Sequence, residues 1–222
     1  MDPASRHQCL IYEGPPSRHL AALAEVVRQK LNENKRCLYL NSEPMVAGMR
    51  SYLAAAGVDV AHETANAKLV LSSERHHLAD GMQFDVDQMI RALEGALKQA
   101  LKDGYEGLWA TGDMTWELGP DKDFSRLLEY EWRLEEFFRA NPQMSGICQY
   151  HVDNIPRPIV RQGLLAHPSI FLNQTLSLLN PVYCYPQSEK SLEGPATEID
   201  SLINSVLQQQ NVGLRDAQTA ER

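Results

Sequence analysis

HQCLIYEGPPSRHLAALAEVVRQKL, residues 7–31, holds a strand, a turn and a helix in one stretch. Residues 8–13, QCLIYE, are a short run rich in β-favouring side chains. Gly14 and two prolines break that run, and Ser17 stands where a helix cap belongs. Leu20, Leu23, Val27 and Leu31 then recur at helical spacing.

The same unit repeats along the chain. CLYLNS (37–42) reads as a strand, followed by a helix that Ser42 and Pro44 open. That helix carries Met45, Met49 and Leu53, and Gly57 ends it. LVLSS (69–73) is a third strand. Asp85, with Gln88 three residues on, starts a helix whose stripe is Val86, Ile90, Leu93, Leu97 and Leu101. GLWATGD (107–113) is an apolar strand, and a helix over 126–138 follows with Asp123 as its cap. SGICQYHV (145–152) is a buried strand, succeeded by a short Pro-started helix and two closing strands, SIFL and VYCY. The alternation predicts an α/β fold of three layers, a mostly parallel central sheet with helices on both faces. The expected organisation is a domain over 6–186, a linker over 187–196, a helix over 197–211 and a disordered tail over 212–222. Ile199, Leu202, Ile203 and Val206 give that last helix an apolar stripe for output or for a homodimer contact.

With 222 residues and 43% hydrophobic content, the chain is long enough for one sizeable core. A net charge of −8 and no Lys/Arg cluster disfavour direct contact with nucleic acid. No apolar run approaches membrane-spanning length, and MDPASRHQ has no signal-peptide pattern, so no membrane partner is expected. Four scattered cysteines, none in a CxxC, read as reduced, buried thiols of a cytoplasmic protein.

A phosphate cradle after the first strand needs glycines, a lysine and free backbone N–H donors. YEGPPSRHLA supplies one glycine, no lysine and two prolines that remove donors. Triphosphate hydrolysis is therefore not expected, and no cofactor is called for. Gly-x-Ser-x-Gly and HExxH motifs are also missing.

Ligands of parallel sheets bind beyond the carboxyl ends of the strands. That rule selects Tyr12, Glu13, Asn41, Ser42, Ser72, Ser73, Gly112, Asp113, Tyr150 and His151, with Trp116 in the following loop as a pocket wall. Asp113 reads either as a polar anchor of the site or as a helix cap. Glu131 is the sharpest anomaly, because it falls on the apolar stripe formed by Phe124, Leu127, Leu134 and Phe138. A buried carboxylate must be paired, hydrogen-bonded or facing a cavity. Arg126 or Arg133 would pair it in a purely structural role, whereas Glu135, one turn on, would join it at a cation or proton site. His7 and Cys9 share a strand face and are either two ligands of one metal or core residues. His76 and His77 read as solvated, and His167 before Pro168 as a helix terminus.

HQCLIYE, RCLYLNSE, GYEGLWATGDMTW, LLEYEWRLEEFF and GICQYHVDNIP, in this order, resemble the MEDS family, the methanogen and methylotroph sensory domain. The resemblance covers about residues 6–185. It implies a RecA/KaiC-like fold that has lost its phosphate-binding loop, and a sensory role directed at small hydrocarbon derivatives. It carries no established ligand or catalytic residues with it. Relatives are often joined to DNA-binding or signalling modules.

The expected function is therefore a cytoplasmic sensor, not an enzyme. It binds a small organic ligand at the carboxyl edge of the sheet and regulates a protein partner, possible outputs including transcription. Glu131, Asp113, Tyr12, Trp116, Glu13, Tyr150 and Glu135 are the expected ligand-binding residues. Loops 74–84 and 114–122 are the expected mobile elements. The alternatives are a degenerate nucleotide- or metal-dependent enzyme and a ligand-free dimeric interaction module.

Overall fold

Central strands of a parallel sheet read as unbroken apolar runs because both of their faces are covered. Residues Met144–His151 illustrate this, since every one of them is buried. The computed structural model describes residues 6–74, 84–117, 124–184 and 196–220, with 214–220 as backbone alone. The described strands are β1 (His7–Tyr12), β2 (Arg36–Leu40), β3 (Leu69–Ser72), β4 (Leu108–Asp113), β5 (Met144–His151), β6 (Ser169–Asn173) and β7 (Leu176–Leu179). They form one sheet in the order β3-β2-β4-β5-β1-β6-β7. All neighbours are parallel except the antiparallel pair β6–β7.

Two core layers flank the sheet. One face buries α1 (Leu20–Asn32), α2 (Glu43–Ala55) and α3 (Val60–Ala65) against Leu10, Tyr12, Tyr39 and Ile147. The other buries α4 (Val86–Lys102), α6 (Leu127–Ala140), α7 (Arg157–Ala166) and α8 (Ala196–Ala220) against Cys9, Ile11, Cys148 and Tyr150. A one-turn helix, α5 (Met114–Glu117), sits at the carboxyl end of β4. The chain is thus the three-layer α/β structure that the alternation predicts.

Several local expectations need correction. Ser17 is not a cap: it lies inside a 3₁₀ turn, Pro16–His19, and α1 begins only at Leu20. Leu101 is 41% exposed, and Ala100 takes its place in the buried stripe of α4. Asp85 does cap α4, accepting the Gln88 N–H at 2.9 Å. VYCY is not a strand, because Val182 lies in a turn and Tyr183 and Cys184 follow it without regular structure. The edge pairing goes instead to β7, since Asn173 accepts the Thr175 N–H at 2.9 Å and folds the chain straight back along β6. Asp123, His76, His77, most of loops 74–84 and 114–122, and the linker 187–195 lie outside the described residues.

The C-terminal helix is longer than expected, running to Ala220 through the segment read as a tail. Its apolar stripe is spent within the domain, where Ile199, Ile203, Val206 and Leu207 are all buried in the core. Arg157 and Arg161 clamp Asp200 at 3.0 and 2.5 Å. Fully burying such aliphatic side chains is worth about 1.5–3 kcal/mol each. Four of them approach the net stability of an ordinary domain. A chain cut at Pro186 is therefore expected to lose its near-UV circular dichroism and its cooperative urea transition. A truncated chain that unfolds with an unchanged midpoint would remove α8 from the core.

Candidate functional site

Winding α6 at about 100° per residue puts Leu127, Glu131, Leu134 and Phe138 on one face, and all four are buried. Glu131 has no exposed surface at all. Neither nearby arginine pairs with it, since Arg126 binds Glu129 at 2.8 Å and Arg133 binds Asp87 at 3.1 Å. Its answers come from the sheet. The Tyr150 hydroxyl donates to Glu131 Oε1. The Cys148 thiol donates to Oε2 at 3.5 Å, and His7 Nε2 stands 3.4 Å from the same oxygen. His167 Nε2, at the end of α7, also lies 3.4 Å from it.

Strand alternation explains the gathering. His7, Cys9 and Ile11 of β1 face the same side as Met144, Cys148 and Tyr150 of β5. Gly146, opposite His7, leaves room there for the imidazole and for Phe138, whose ring centroid is 4.7 Å from it. Glu135 closes the far side, accepting from His7 Nδ1 at 3.0 Å and from the Tyr183 hydroxyl at 2.9 Å.

The protonation states are coupled. Burial alone would push the His7 pKa down, but hydrogen bonds and charges from Glu131 and Glu135 outweigh it and hold it above the usual imidazole value. For Glu131 burial favours the neutral acid, yet His167, His7 and Tyr150 together keep its pKa below the usual carboxylate value. His167 is pushed down to about 4, first by burial and then by the charge of His7.

Asp113 is not part of this cluster, because the alternation of β4 puts it on the opposite face with Trp109 and Thr111. There it does what the cap reading expected: Oδ1 accepts the Trp116 N–H at 2.9 Å and holds α5. Its Oδ2 accepts the Tyr12 hydroxyl at 3.1 Å. Burial raises the Asp113 pKa, against the opposing pull of those two donors. Tyr12 stacks on His151 at 4.8 Å and packs against His19 at 4.9 Å. The expected ligand-binding residues thus divide into Glu131, Glu135 and Tyr150 on one face and Asp113 and Tyr12 on the other, with Trp116 in α5 at the carboxyl end of β4. Cys9 does not join His7 as a ligand pair, and its thiol instead faces the Ser169 carbonyl at 3.8 Å.

An open cleft of about 600 Å³ lies at the carboxyl ends of β1 and β6, between the start of α1, the β6–β7 turn and α8. Arg18, His19, Thr175, Gln208 and Gln210 are among its walls. Glu13 stands beside it, accepting from Asn211 Nδ2 at 2.7 Å. Sequence reasoning missed most of the cleft residues and the place of His167 beside Glu131. The cleft is assembled from segments nearly 200 residues apart, and His167 carries no local pattern beyond its place before Pro168.

His19 gives the cleft a pH response. It is 4% exposed, and burial, then the charges of Arg18 and His151, push its pKa down to about 4 from an ordinary 6.5. The unfolded chain takes up this proton below about pH 6.5 and the native chain does not. Stability is therefore complete above that pH and falls towards about pH 4, by about 3 kcal/mol at most. His19→Gln is expected to flatten that part of the stability profile, read from urea midpoints at pH 7 and pH 4.5. An unchanged slope would show that His19 is protonated in the native state.

The sequence matches the MEDS family, described as the MEthanogen/methylotroph, DcmR Sensory domain, over residues 6–168. No functionally curated protein matches it. Among solved structures it is similar to an uncharacterized protein from Pyrococcus horikoshii, crystallised in complex with an unknown peptide. The two share 16% identity and a TM-score of 0.50, over 79% of this chain and 83% of that one. That likeness concerns the fold alone, whereas the family match spans most of the chain: it belongs to the MEDS family of sensory domains.

Proposed function

We propose that the chain is the sensor of a cytoplasmic signalling system, that it binds a small organic molecule, and that it is not an enzyme. The observation that carries this reading is the cleft of about 600 Å³ at the carboxyl edge of the sheet. Its size falls within the range of small-molecule sites, and its place follows the rule for parallel sheets. Among the described residues, the walls include one cation, Arg18, several amides and no carboxylate. Such a surface suits a polar organic molecule bearing a carboxylate or hydroxyl group. The loop after β1, Gly14-Pro15-Pro16, offers few N–H donors for phosphates, which supports a sensor over a nucleotide hydrolase.

The output runs through α8. That helix supplies Gln208 and Gln210 to the cleft and Ile203 and Val206 to the core. The Gln210 amide donates to the Phe171 carbonyl at 3.2 Å, tying the helix to β6 beside the cleft. A ligand that favours one placement of α8 over another changes the surface that a partner protein meets, whether that partner is a signalling module or a transcription regulator.

Native mass spectrometry of the freshly purified full chain is expected to reveal a small bound organic mass. Thermal-shift titrations with short carboxylates, alcohols and halomethanes are expected to reproduce its stabilisation. Ala21→Trp, on the exposed wall of the cleft, is expected to abolish both signals while the circular dichroism stays unchanged. Binding that survives this substitution would place the ligand elsewhere.

A further inference from the structure

His7 Nε2, Glu131 Oε2, Cys148 Sγ and His167 Nε2 all lie within 4.8 Å of one another, and all four residues are buried. One contact among them is left without a proton. His167 Nδ1 is 2.6 Å from the Gly163 carbonyl oxygen, which can only accept, so this nitrogen carries the proton. The neutral ring then turns a bare lone pair on Nε2 towards the cluster. That nitrogen is buried without a hydrogen bond among the described residues, and it faces Glu131 Oε2 at 3.4 Å. Two acceptors opposed in a dry core call for positive charge between them. His7 is arranged alike: Nδ1 donates to Glu135, and Nε2 points at Glu131 Oε2 and at Cys148 Sγ, 3.6 Å away.

We propose that His7, Glu131, Cys148 and His167 hold a single divalent metal ion of the zinc type. This site is independent of the ligand cleft and of the reading built on it. Zinc takes nitrogen and oxygen donors at about 2.0–2.1 Å and sulfur at about 2.3 Å. In a tetrahedron those lengths separate nitrogen and oxygen donors by about 3.4 Å, and sulfur from either by about 3.6 Å. Four of the six donor–donor distances here are 3.4, 3.4, 3.5 and 3.6 Å, and the other two lie within 4.8 Å. Two imidazoles, a thiolate and a carboxylate suit zinc or cobalt, whereas magnesium and calcium prefer oxygen throughout.

The surrounding shell matches as well. Metal-bound histidines usually give their second N–H to a carboxylate or a carbonyl. His7 gives its own to Glu135, and His167 to Gly163. The Tyr150 hydroxyl orients the Glu131 carboxylate. With all four positions taken by protein, the site is of the closed, structural kind. It ties β1, α6, β5 and the end of α7 together. Binding displaces the Cys148 proton, and any proton on His7 Nε2, into solvent.

The test uses the full, tag-free chain, freed of metal by a chelator and titrated with cobalt(II). The expected result is one equivalent bound, with intense tetrahedral visible bands, a thiolate-to-cobalt charge-transfer band, and displacement by zinc. Cys148→Ser is expected to lose the charge-transfer band and to bind zinc at least tenfold more weakly. Glu135→Gln is expected to keep the stoichiometry and bind about tenfold more weakly. A folded wild-type chain that takes up no cobalt, or shows only weak octahedral bands, overturns the proposal. So does a charge-transfer band that survives in Cys148→Ser. If Cys148→Ser does not fold, the wild-type spectrum decides alone.

Discussion

A carboxylate stands in the dry interior of this domain, and the packing around it is arranged to answer it. An unanswered carboxylate there would cost several kcal/mol or take up a proton. Tyr150, Cys148, His7 and His167 come from three separate elements, so their convergence on Glu131 fixes how α6 and α7 lie on the sheet. Two glycines make the convergence possible. A Cβ on Gly163 would collide with the Tyr150 ring, so only glycine lets α7 come this close to β5. A Cβ on Gly146 would run into the Ala110 carbonyl and stand 3.3 Å from the Phe138 ring, which shares its space with His7. Small residues and polar residues here are parts of one packing solution.

The fold was legible because its signals are local and repeated. Strand runs, caps and helical stripes each span fewer than twenty residues, and Asp85 with Gln88 behaves as its spacing implies. Glu131 was legible for the same reason, because a charge on an apolar stripe is visible within one helix. Its partners were not. Which cysteine meets His7 depends on the register of β1 against β5: Cys9 pairs with Cys148, yet Cys148 is the one that reaches across to the imidazole. His167 joins through a crossover that no window of sequence contains. The closing strand failed for another reason. VYCY has strand composition, but the Asn173 side chain turns the chain early and gives the edge to LSLL.

The split of the expected ligand residues between two faces also follows from the period of a strand. His7 and Tyr12 are five residues apart on β1, an odd interval, so they point to opposite sides of the sheet. Tyr12 therefore belongs with Asp113, His151 and His19 beneath the cleft, and His7 with Glu131 in the opposite core layer. β1 touches both, because its residues alternate between the two core layers, Cys9 and Ile11 in one and Leu10 and Tyr12 in the other. A shift of this strand along its axis would disturb both sites at once, whereas rotation of a side chain on one face would leave the other unmoved.

Stability alone does not account for the cluster. Apolar side chains of matching volume would fill the space between α6 and the sheet without the desolvation that Glu131 and His7 incur. The residues around them make that substitution easy to imagine, since Leu134, Phe138, Met144 and Leu164 already form a continuous apolar layer. A polar network set in such a layer narrows the number of ways the helices can pack, because any other arrangement strands a carboxylate or an imidazole. The same requirement that makes the network costly makes it selective for a bound cation: the donors are already dry, already oriented by Glu135, Gly163 and Tyr150, and already gathered within 4.8 Å of one another. Little reorganisation remains to be opposed when an ion enters, and that preorganisation is what apolar residues in the same positions would forfeit.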